Sequence, residues 1–291
     1  MFFFCAPEPK VKSAERAFEE ACVEKNALRA YAATYSKLED VQKDDSPWKP
    51  VFEGHLLKSV YANTAELKVL IENTADMQWI SISGTDAPET VLVDSELESK
   101  NDFGVAMHKG VLRVASDVHD AITPFLEPTK ALRITGHSVG GAAAHAIAYR
   151  LARAGHSIEQ CVTFGAPKFT DAAGARKLEK ADLALLRVTA SDDAVTALPP
   201  PKLDVGWFIF SKRYTQAGPE LHLSAGGAPM TYAPEPLVDD KASAEKAEQT
   251  WANVTWLAQA EESRMKAYLQ AMKPTTDVKV QFHQILAEVS T

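Results

Sequence analysis

A serine flanked by glycines is the residue of this chain whose surroundings most clearly favour chemistry. Residues 136–140 read GHSVG, which fits the G-x-S-x-G nucleophile elbow, a tight strand-to-helix turn that holds a serine hydroxyl clear of its neighbours. Glycines two residues before and two residues after Ser138 let the strand and the helix pack closely, because a side chain at either position would collide. The short pattern also occurs by chance, so the residues around it have to support it.

The residues on both sides of Ser138 fit such a turn. Leu132 and Ile134 form a short apolar run typical of a buried strand. Residues 141–153 are rich in helix formers, and Gly155 follows at a natural position for a helix C-terminus. The sequence therefore predicts a strand, Ser138 and a helix in succession; the alternative is a glycine-rich turn of an ordinary α/β protein.

A serine hydroxyl becomes a good nucleophile only when a base removes its proton, and the base is usually a histidine oriented by an acid. In nucleophile-elbow enzymes these partners follow the serine in the order acid, then histidine. Asp192 and Asp193 end a predicted strand, so either one is placed to be the acid. After them come His222, inside a strand candidate, and His283, near the C-terminus. Ordinary surface or core roles are expected for other histidines: His55, His119, His145 and His156.

The pattern of apolar residues around this turn predicts an α/β fold. Strand candidates near residues 54–61 and 66–72 have the form of an antiparallel meander, and a third lies near residues 78–84. Beyond them, helices alternate with strands: helices at 111–125, 141–153 and 171–180, and strands around Leu132 and Ile134, at 159–164 and at 185–190. Such alternation predicts a mostly parallel central sheet with helices on both faces.

Three segments lie outside this alternation, within what we expect to be a single domain over residues 1–291. Residues 1–47 are predicted to form an N-terminal helical arm, with one amphipathic helix over residues 13–38. Residues 86–106 combine many acids with an apolar patch, which fits either a solvated connection or a mobile lid. Residues 224–276 are predicted to be a helical insertion, either a cap over the site or a plain surface helix.

Composition and charge exclude several classes of function. The formal charge of -8, with no basic cluster, argues against binding to nucleic acid or to an anionic membrane surface. No apolar run approaches the roughly 18 residues that a membrane-spanning helix needs. The cysteines Cys5, Cys22 and Cys161 are far apart and lack metal-ligand spacing. The apolar residues 1–5 are too short for a secretory signal, although they fit the tail of a trimmed one.

Several further motifs, in the same order along the chain, resemble those of the class 3 lipases, typified by the fungal triacylglycerol lipases. The family shares its fold with some feruloyl esterases. GHSVGGA at residues 136–142 looks like the family's GHSLGGA. The other matching segments are SGT at 83–85 for the oxyanion segment RGT, MHKGV at 107–111 for V-H-x-G-F, TFGAPK at 163–168 for TFGAPR, DAVTALPP at 193–200 for D-I-V-P-x-L-P-P, and GPELHL at 218–223 for G-x-E-L/V-W-L.

The resemblance implies an α/β-hydrolase fold and a set of site residues. It favours Asp193 over Asp192 as the acid, because the family's D-I-V-P motif begins with the acid. It gives the position of His222 a structural role, which leaves His283 as the implied base. The backbone N–H groups of Thr85 and Val139 would then stabilise the oxyanion. The nucleophile of the implied triad would be Ser138.

The function implied by this resemblance is hydrolysis of carboxylic esters, most of all acylglycerols, through an acyl-enzyme, with no metal or organic cofactor. The partner would be a lipid or other ester substrate, on which the protein would act at a lipid–water interface. The resemblance alone favours a secreted protein, extracellular or periplasmic. A feruloyl-type esterase and a phospholipase are alternatives within enzymes. The alternative from another class is a catalytically silent hydrolase-fold protein that binds lipid or serves as a scaffold.

The chain departs from the family's pattern in three places. Ser83 replaces the usual arginine, so whatever that arginine anchors must be held in another way. Val91 stands where the family's lid often has tryptophan, which leaves the lid's contact with substrate open. The long residues 224–276 place His283 unusually far from Asp193.

Overall fold

The computed structural model describes residues 13–34, 56–62, 65–86, 88–93, 98–191, 193–199, 202–204, 209–211, 214–224, 229–234, 245 and 261–272. Within them the helices are α1 (Ala14–Glu20), α2 (Val23–Ala32), α3 (Pro88–Val93), α4 (Lys109–Ile122), α5 (Ser138–Arg153), α6 (Ala172–Lys180) and α7 (Glu261–Met272), with 3-10 helices at Thr123–Phe125 and Ala194–Ala197. The strands are β1 (Leu56–Ala62), β2 (Ala65–Asn73), β3 (Met77–Ile82), β4 (Ser99–Asp102), β5 (Val105–His108), β6 (Ala131–His137), β7 (Ile158–Phe164), β8 (Leu185–Ala190), β9 (Lys202–Asp204), β10 (Ile209–Ser211), β11 (Glu220–Leu223) and β12 (Thr231–Ala233).

The central sheet has eight strands in the order β1-β2-β3-β6-β7-β8-β11-β12. Its middle pairs, from β3 to β11, are parallel, whereas β1, β2 and β3 form an antiparallel meander and β12 is antiparallel to β11. This mostly parallel sheet with its helices confirms the predicted α/β-hydrolase fold. Parallel strands all end at the same edge, so the segments after β3, β6 and β8 are brought together there.

Each face of the sheet has its own hydrophobic core. The larger core packs α4, α5 and α6 against residues such as Ile80 and Ile134. The second core packs α1, α2 and α7 against the opposite face, and it includes Val162, Phe164 and Val188. Because successive side chains of a strand point to opposite faces, Cys161 belongs to the first core and its neighbour Val162 to the second.

The N-terminal segment contains two helices where the sequence predicted one. The helix breaks at Cys22, which adopts a left-handed conformation with φ of 49°. Beyond the break, α2 packs on the sheet, and a buried ion pair joins Arg29 to Glu72 at 2.8 Å. The Arg29 guanidinium also lies 4.0 Å from the ring centre of Trp79. The arm is therefore one of the layers that bury the sheet.

The segment predicted to be a loop at residues 86–106 contains regular structure. Helix α3 and the hairpin β4–β5 occupy most of it, and the side chains of Val91 and Leu92 are buried in the larger core. The carbonyl oxygen of Leu92 lies 3.2 Å from Nε2 of His108. The predicted apolar patch is thus packed in this conformation. Movement of the segment as a lid stays a prediction.

Candidate active site

Ser138 stands at the junction between β6 and α5, where the sequence places the elbow. Its φ angle is 53°, a left-handed conformation that is uncommon for a residue with a side chain. Strain of this kind persists only when the surrounding structure enforces it, and it concentrates at functional sites. The residue is 1% exposed, so its hydroxyl lies inside the protein at the sheet edge.

The glycines around Ser138 are required by close backbone contacts. A Cβ added to Gly136 would overlap the carbonyl oxygen of Gly140, one turn into α5. A Cβ added to Gly140 would overlap the carbonyl oxygen of Ser83. The elbow is therefore packed backbone to backbone against its own helix and against the segment that follows β3. Both contacts agree with the steric reason for glycine at these positions.

The predicted oxyanion segment, residues 83–85, lies beside the elbow because β3 and β6 are parallel neighbours, with Ile82 paired to Gly136. The Ser83 hydroxyl accepts a hydrogen bond from the Lys68 N–H at 2.9 Å and donates one to the Gly84 carbonyl at 2.9 Å. Serine at this position thus fixes the turn locally. Thr85, the predicted donor, is buried.

Arg264 contacts the end of this segment, and Val139 carries the other predicted oxyanion donor. The carbonyl oxygen of Thr85 accepts a hydrogen bond from Nη2 of Arg264 at 2.5 Å. Val139, the other predicted donor, is fully buried in the first turn of α5. An N–H in the first turn of a helix has no partner within that helix, which leaves it free to bind an anion. Thr85 and Val139 as the oxyanion hole stay a prediction.

Asp193 lies just after β8, partly buried, and caps the following 3-10 helix. Its Oδ1 atom accepts a hydrogen bond from the N–H of Val195 at 3.0 Å. Its Oδ2 atom accepts one from the hydroxyl of Tyr268 at 2.5 Å. Gly165, with φ of 56°, lies so close that a Cβ there would overlap Oδ2 of Asp193. The predicted acid is thus held from three sides.

Burial dominates the electrostatics of this carboxyl group. Desolvation raises the pKa of Asp193 above its ordinary value, because a charge is costly in a medium of low polarity. The hydrogen bond from Tyr268, the charge of His137, the Val195 N–H and the charge of Arg264 all act to lower the same pKa. A buried carboxyl group with a raised pKa and a ring of donors is typical of a functional site.

The candidate bases differ in where they lie. His222, on β11, has its ring nitrogens 2.9 Å from the Thr189 hydroxyl and 3.0 Å from the Ser191 hydroxyl. In the part of the chain that the structure describes, the hydroxyl of Ser138 has no hydrogen-bond partner. His283 lies outside the described residues, as does Asp192. The assignment of His283 as the base therefore stays a prediction.

Two other histidines, His108 and His145, have structural roles in the fold. His108, of the MHKGV motif, caps α4: its Nδ1 accepts a hydrogen bond from the Gly110 N–H at 3.2 Å. His145 is buried within α5, with its ring 5.3 Å from that of Phe169. Burial, with a smaller contribution from the charge of Arg187, lowers the pKa of His145 to about 3. Both histidines therefore belong to the scaffold that holds the elbow helix.

Sequence reasoning missed the two side chains of α7 that contact the site. It predicted a helical insertion at residues 224–276 and assigned no role to either Tyr268 or Arg264. The structure brings the first to Asp193 and the second to Thr85. A signal was present, because a tyrosine in an apolar stripe carries a hydroxyl that needs a partner when buried. The sequence gives no hint of which partner that is.

The described residues contain neither a candidate metal cluster nor a candidate membrane span. Among them, no group of three or more His, Cys, Asp or Glu side chains could hold a metal ion. No helix in the described part of the chain is long and apolar enough to cross a membrane.

The chain is similar to one protein family and to solved lipase structures. The model of the class 3 lipase family matches residues 79–203. The fold resembles the Lip2 lipase of Yarrowia lipolytica, with 19% identity and a TM-score of 0.58 over 78% of this chain and 89% of that one. For lipase II of Rhizopus niveus the values are 18% and 0.58 over 76% and 88%. For a triacylglycerol lipase whose catalytic centre is a serine protease triad they are 17% and 0.52 over 77% and 87%. No curated protein matches the chain by sequence.

Proposed function

We propose that the chain is an ester hydrolase of the class 3 lipase kind and that it hydrolyses acylglycerols with Ser138 as the nucleophile, His283 as the base and Asp193 as the acid. The match of the class 3 lipase model to residues 79–203 supports an ester hydrolase. The acyl and alcohol groups of the substrate, and the identity of each catalytic residue, are the content of the proposal.

The proposed reaction passes through an acyl-enzyme. Ser138 attacks the ester carbonyl while His283 accepts the serine proton and then gives it to the leaving alcohol. Asp193 holds the imidazole in the required tautomer and stabilises the imidazolium. Water then attacks the acyl-enzyme with the same histidine as base. The backbone N–H groups of Thr85 and Val139 would stabilise the negative charge that develops on the carbonyl oxygen in each transition state.

The observation that carries the proposal is the strained left-handed conformation of Ser138 at the end of a central parallel strand. This strain supports a nucleophile at Ser138, because a strained backbone conformation destabilises the fold and is concentrated at functional sites. The partly buried Asp193 after the end of β8, two strands away in the same sheet, adds to this support. A solved triacylglycerol lipase of this fold has a serine protease triad as its catalytic centre.

A panel of esters graded by chain length tests the substrate class. We expect turnover of acylglycerols of medium or long chain, with a rise in rate above the concentration at which the substrate forms a separate phase, if the chain acts at an interface. A preference for short or hydroxycinnamoyl esters would point to an esterase of the feruloyl type. Preference for phospholipids would point to a phospholipase. Absence of turnover on every ester would contradict the proposal.

Three alanine variants test the assigned residues. Ser138→Ala and His283→Ala are each expected to lower kcat by about 10⁴-fold or more, because the triad acts as a unit. His222→Ala is the matched control, since it removes a histidine that the proposal leaves out of the triad. If His222→Ala abolishes turnover while His283→Ala does not, the assignment of the base is wrong.

The second candidate function is a catalytically silent lipid-binding or scaffolding protein. A fluorophosphonate probe separates the two candidates, because only a serine activated by a base reacts with it rapidly. Labelling of the wild type but not of Ser138→Ala supports the enzyme. Lipid binding without labelling supports the silent protein.

Location outside the cytoplasm is part of the proposal and is supported by the family resemblance alone. Expression of the full-length gene with a C-terminal tag, followed by assay of the culture medium, the periplasm and the cell extract, would test it.

A further inference from the structure

Helix α7 contacts both halves of the candidate site with two side chains one turn apart. Arg264 and Tyr268 are four residues apart, so they lie on the same face of the helix. Tyr268 donates a hydrogen bond to Oδ2 of Asp193 at 2.5 Å, and Arg264 donates one to the carbonyl oxygen of Thr85 at 2.5 Å. One rigid element thus reaches the predicted acid and the predicted oxyanion segment together.

The helix is anchored by apolar side chains that lie beside these contacts. Met265, Leu269 and Met272 are buried in the second hydrophobic core, where α7 packs against α2 and β11. Tyr268 is itself almost fully buried, and its ring lies edge-on to His137 at 5.7 Å between ring centres. A side chain fixed in this way loses little further entropy when it orients a partner. The helix can therefore hold both contacts in a fixed geometry.

The contact with Asp193 affects the ionisation of its carboxyl group, because burial raises the pKa of Asp193 and the groups around it lower that pKa. The groups that face this carboxyl group are Tyr268 and Arg264 from α7, His137 from the end of β6, and the Val195 N–H. Two of the four come from α7. Hydrogen bonds and positive charge favour the carboxylate, which a triad acid must be in order to stabilise an imidazolium.

The contact with Thr85 concerns the geometry of the oxyanion segment. The Ser83 hydroxyl fixes the start of this segment through Lys68 and Gly84. Arg264 fixes its other end by binding the Thr85 carbonyl oxygen, which belongs to the peptide that follows the predicted donor. A donor that is misplaced by about 1 Å can lose about a hundredfold in rate. A fixed Thr85 is therefore worth more to the transition state than to the bound substrate.

We propose that Tyr268 and Arg264 are positioning residues that make α7 a clamp across the site, holding the acid Asp193 and the oxyanion segment at Thr85 in one frame. The proposal rests on the ester-hydrolase function proposed above. It assigns helix α7, which lies in the predicted insertion at residues 224–276, a role in the reaction as well as in the fold. Neither side chain needs to touch the substrate.

The alternative is that α7 stabilises the protein and nothing more. Under that alternative, loss of a hydroxyl or of an arginine lowers the melting temperature but leaves the pH profile and the balance of kcat and KM as they are. The test therefore uses readouts that a purely structural role would not change.

Tyr268→Phe is the first variant, because phenylalanine keeps the packed ring and removes only the hydroxyl. A carboxylate that loses a donor becomes more basic and holds the proton of the acid–histidine pair more firmly. The acid limb of the kcat/KM profile, which reports that pair, should move to higher pH by about one unit. Tyr149→Phe is the matched control: its hydroxyl donates to the Phe103 carbonyl at 3.3 Å, away from the site. This control should leave the limb in place.

Arg264→Lys and Arg264→Met separate charge from position. Lysine keeps the charge but loses the planar donor group, so kcat should fall about tenfold with KM unchanged and the acid limb in place. Methionine also loses the charge that favours the Asp193 carboxylate. It should show the same fall in kcat and, in addition, an upward shift of the acid limb.

The outcomes separate this proposal from the function on which it rests. If the wild type neither hydrolyses p-nitrophenyl butyrate nor reacts with a fluorophosphonate, the ester-hydrolase function fails and the clamp fails with it. If the wild type is active while Tyr268→Phe keeps the wild-type pH profile and Arg264→Lys keeps the wild-type kcat, the clamp alone is wrong. If one of the two variants fails to fold, the other decides, since each contact is tested by its own readout.

Discussion

The elbow at residues 136–140 and the helix α7 reach the same site by different physical routes. In the elbow, contacts are made by the backbone: Gly136 packs against Gly140 in the same turn, and Gly140 packs against Ser83 after β3, contacts that any side chain would prevent. In α7, side chains act over long separations, with 75 residues between Tyr268 and Asp193 and 179 between Arg264 and Thr85. The elbow is therefore a local motif, whereas the contacts of α7 exist only in the folded chain.

This difference has consequences for substitution. A change in the elbow meets backbone atoms that cannot move without moving a strand, so it should affect the fold itself. A conservative change in α7 removes one polar contact while the core around it stays packed, so it should affect the site more than the fold. Four predictions follow this contrast.

The largest effect is expected at Asp193, which both regions surround. Asp193→Asn should lower kcat by about 10⁴-fold, because the histidine loses its orienting charge. Stability should change in the opposite direction. Since the pKa of Asp193 is raised in the folded state, stability is present below its ordinary value of 3.8 and is lost as pH rises through the folded pKa. The variant, which carries no charge, should escape that loss.

Melting temperatures at pH 7 and at pH 4 measure this second effect. The Asn variant should unfold about 2 °C or more above the wild type at pH 7, and the advantage should shrink toward pH 4. A variant that is less stable than the wild type at pH 7 would show that Asp193 is better solvated than its burial indicates.

The next largest effect is expected in the elbow. Gly140→Ala places a Cβ against the Ser83 carbonyl oxygen, so strand β3 or helix α5 has to shift. The free energy of unfolding should fall by about 3 kcal/mol or more, because overpacking here meets backbone. Gly155→Ala is the control: φ there is 96°, but a Cβ would have nothing within 4 Å. Its cost should be only that of the left-handed conformation, about 1 kcal/mol.

A cavity under α7 should link its packing to the site. Met265 is fully buried in the second core, and Met265→Ala should cost about 3 kcal/mol of unfolding free energy. Because the helix then loses its anchor one residue from Arg264, kcat should fall as well. Lys266→Ala, at an exposed position of the same helix, is the control for both measurements. A full kcat in Met265→Ala would show that the site does not depend on how α7 is packed.

The smallest effect at neutral pH concerns His145, on the elbow helix. Burial lowers the pKa of His145 from 6.5 to about 3, so the unfolded chain binds a proton that the folded chain refuses. The stability that the neutral His145 contributes to the folded state is present above pH 6.5 and is lost as the pH falls toward 3. Between pH 7.5 and pH 5 the wild type should lose about 2 kcal/mol from this residue. His145→Leu should show a smaller loss over the same range in urea unfolding.

Most of the sheet was predictable because its signals are local. The meander β1 to β3 and the strands β6 to β8 lie within two residues of their predicted bounds, since each is a short apolar run between turn residues. Helix α4 was predictable from its apolar stripe. The break at Cys22 was not, because the apolar period continues across it and a left-handed residue other than glycine has no clear sequence signal.

The packing of the peripheral segments was less predictable, because it depends on contacts that leave no local signal in the sequence. Val91 and Leu92 read as an apolar patch of a loop, yet they form part of a helix buried in the larger core. A run of six residues is too short for its period to be recognised. Tyr268 lies between Met265 and Met272 in the sequence and so has the spacing of a core residue. The hydrogen bond from its hydroxyl to Asp193 depends on where β8 ends.

The sequence by itself predicted the turn at Ser138, the order of its candidate partners and the proposed class of reaction, because these depend on steric limits and motifs that are local in the chain. Only the tertiary structure decided how Asp193 is held and that α7 joins it to Thr85. The physical reason is that a hydrogen bond between distant residues depends on the relative position of whole elements. That position results from the packing of two cores, and no local pattern encodes it.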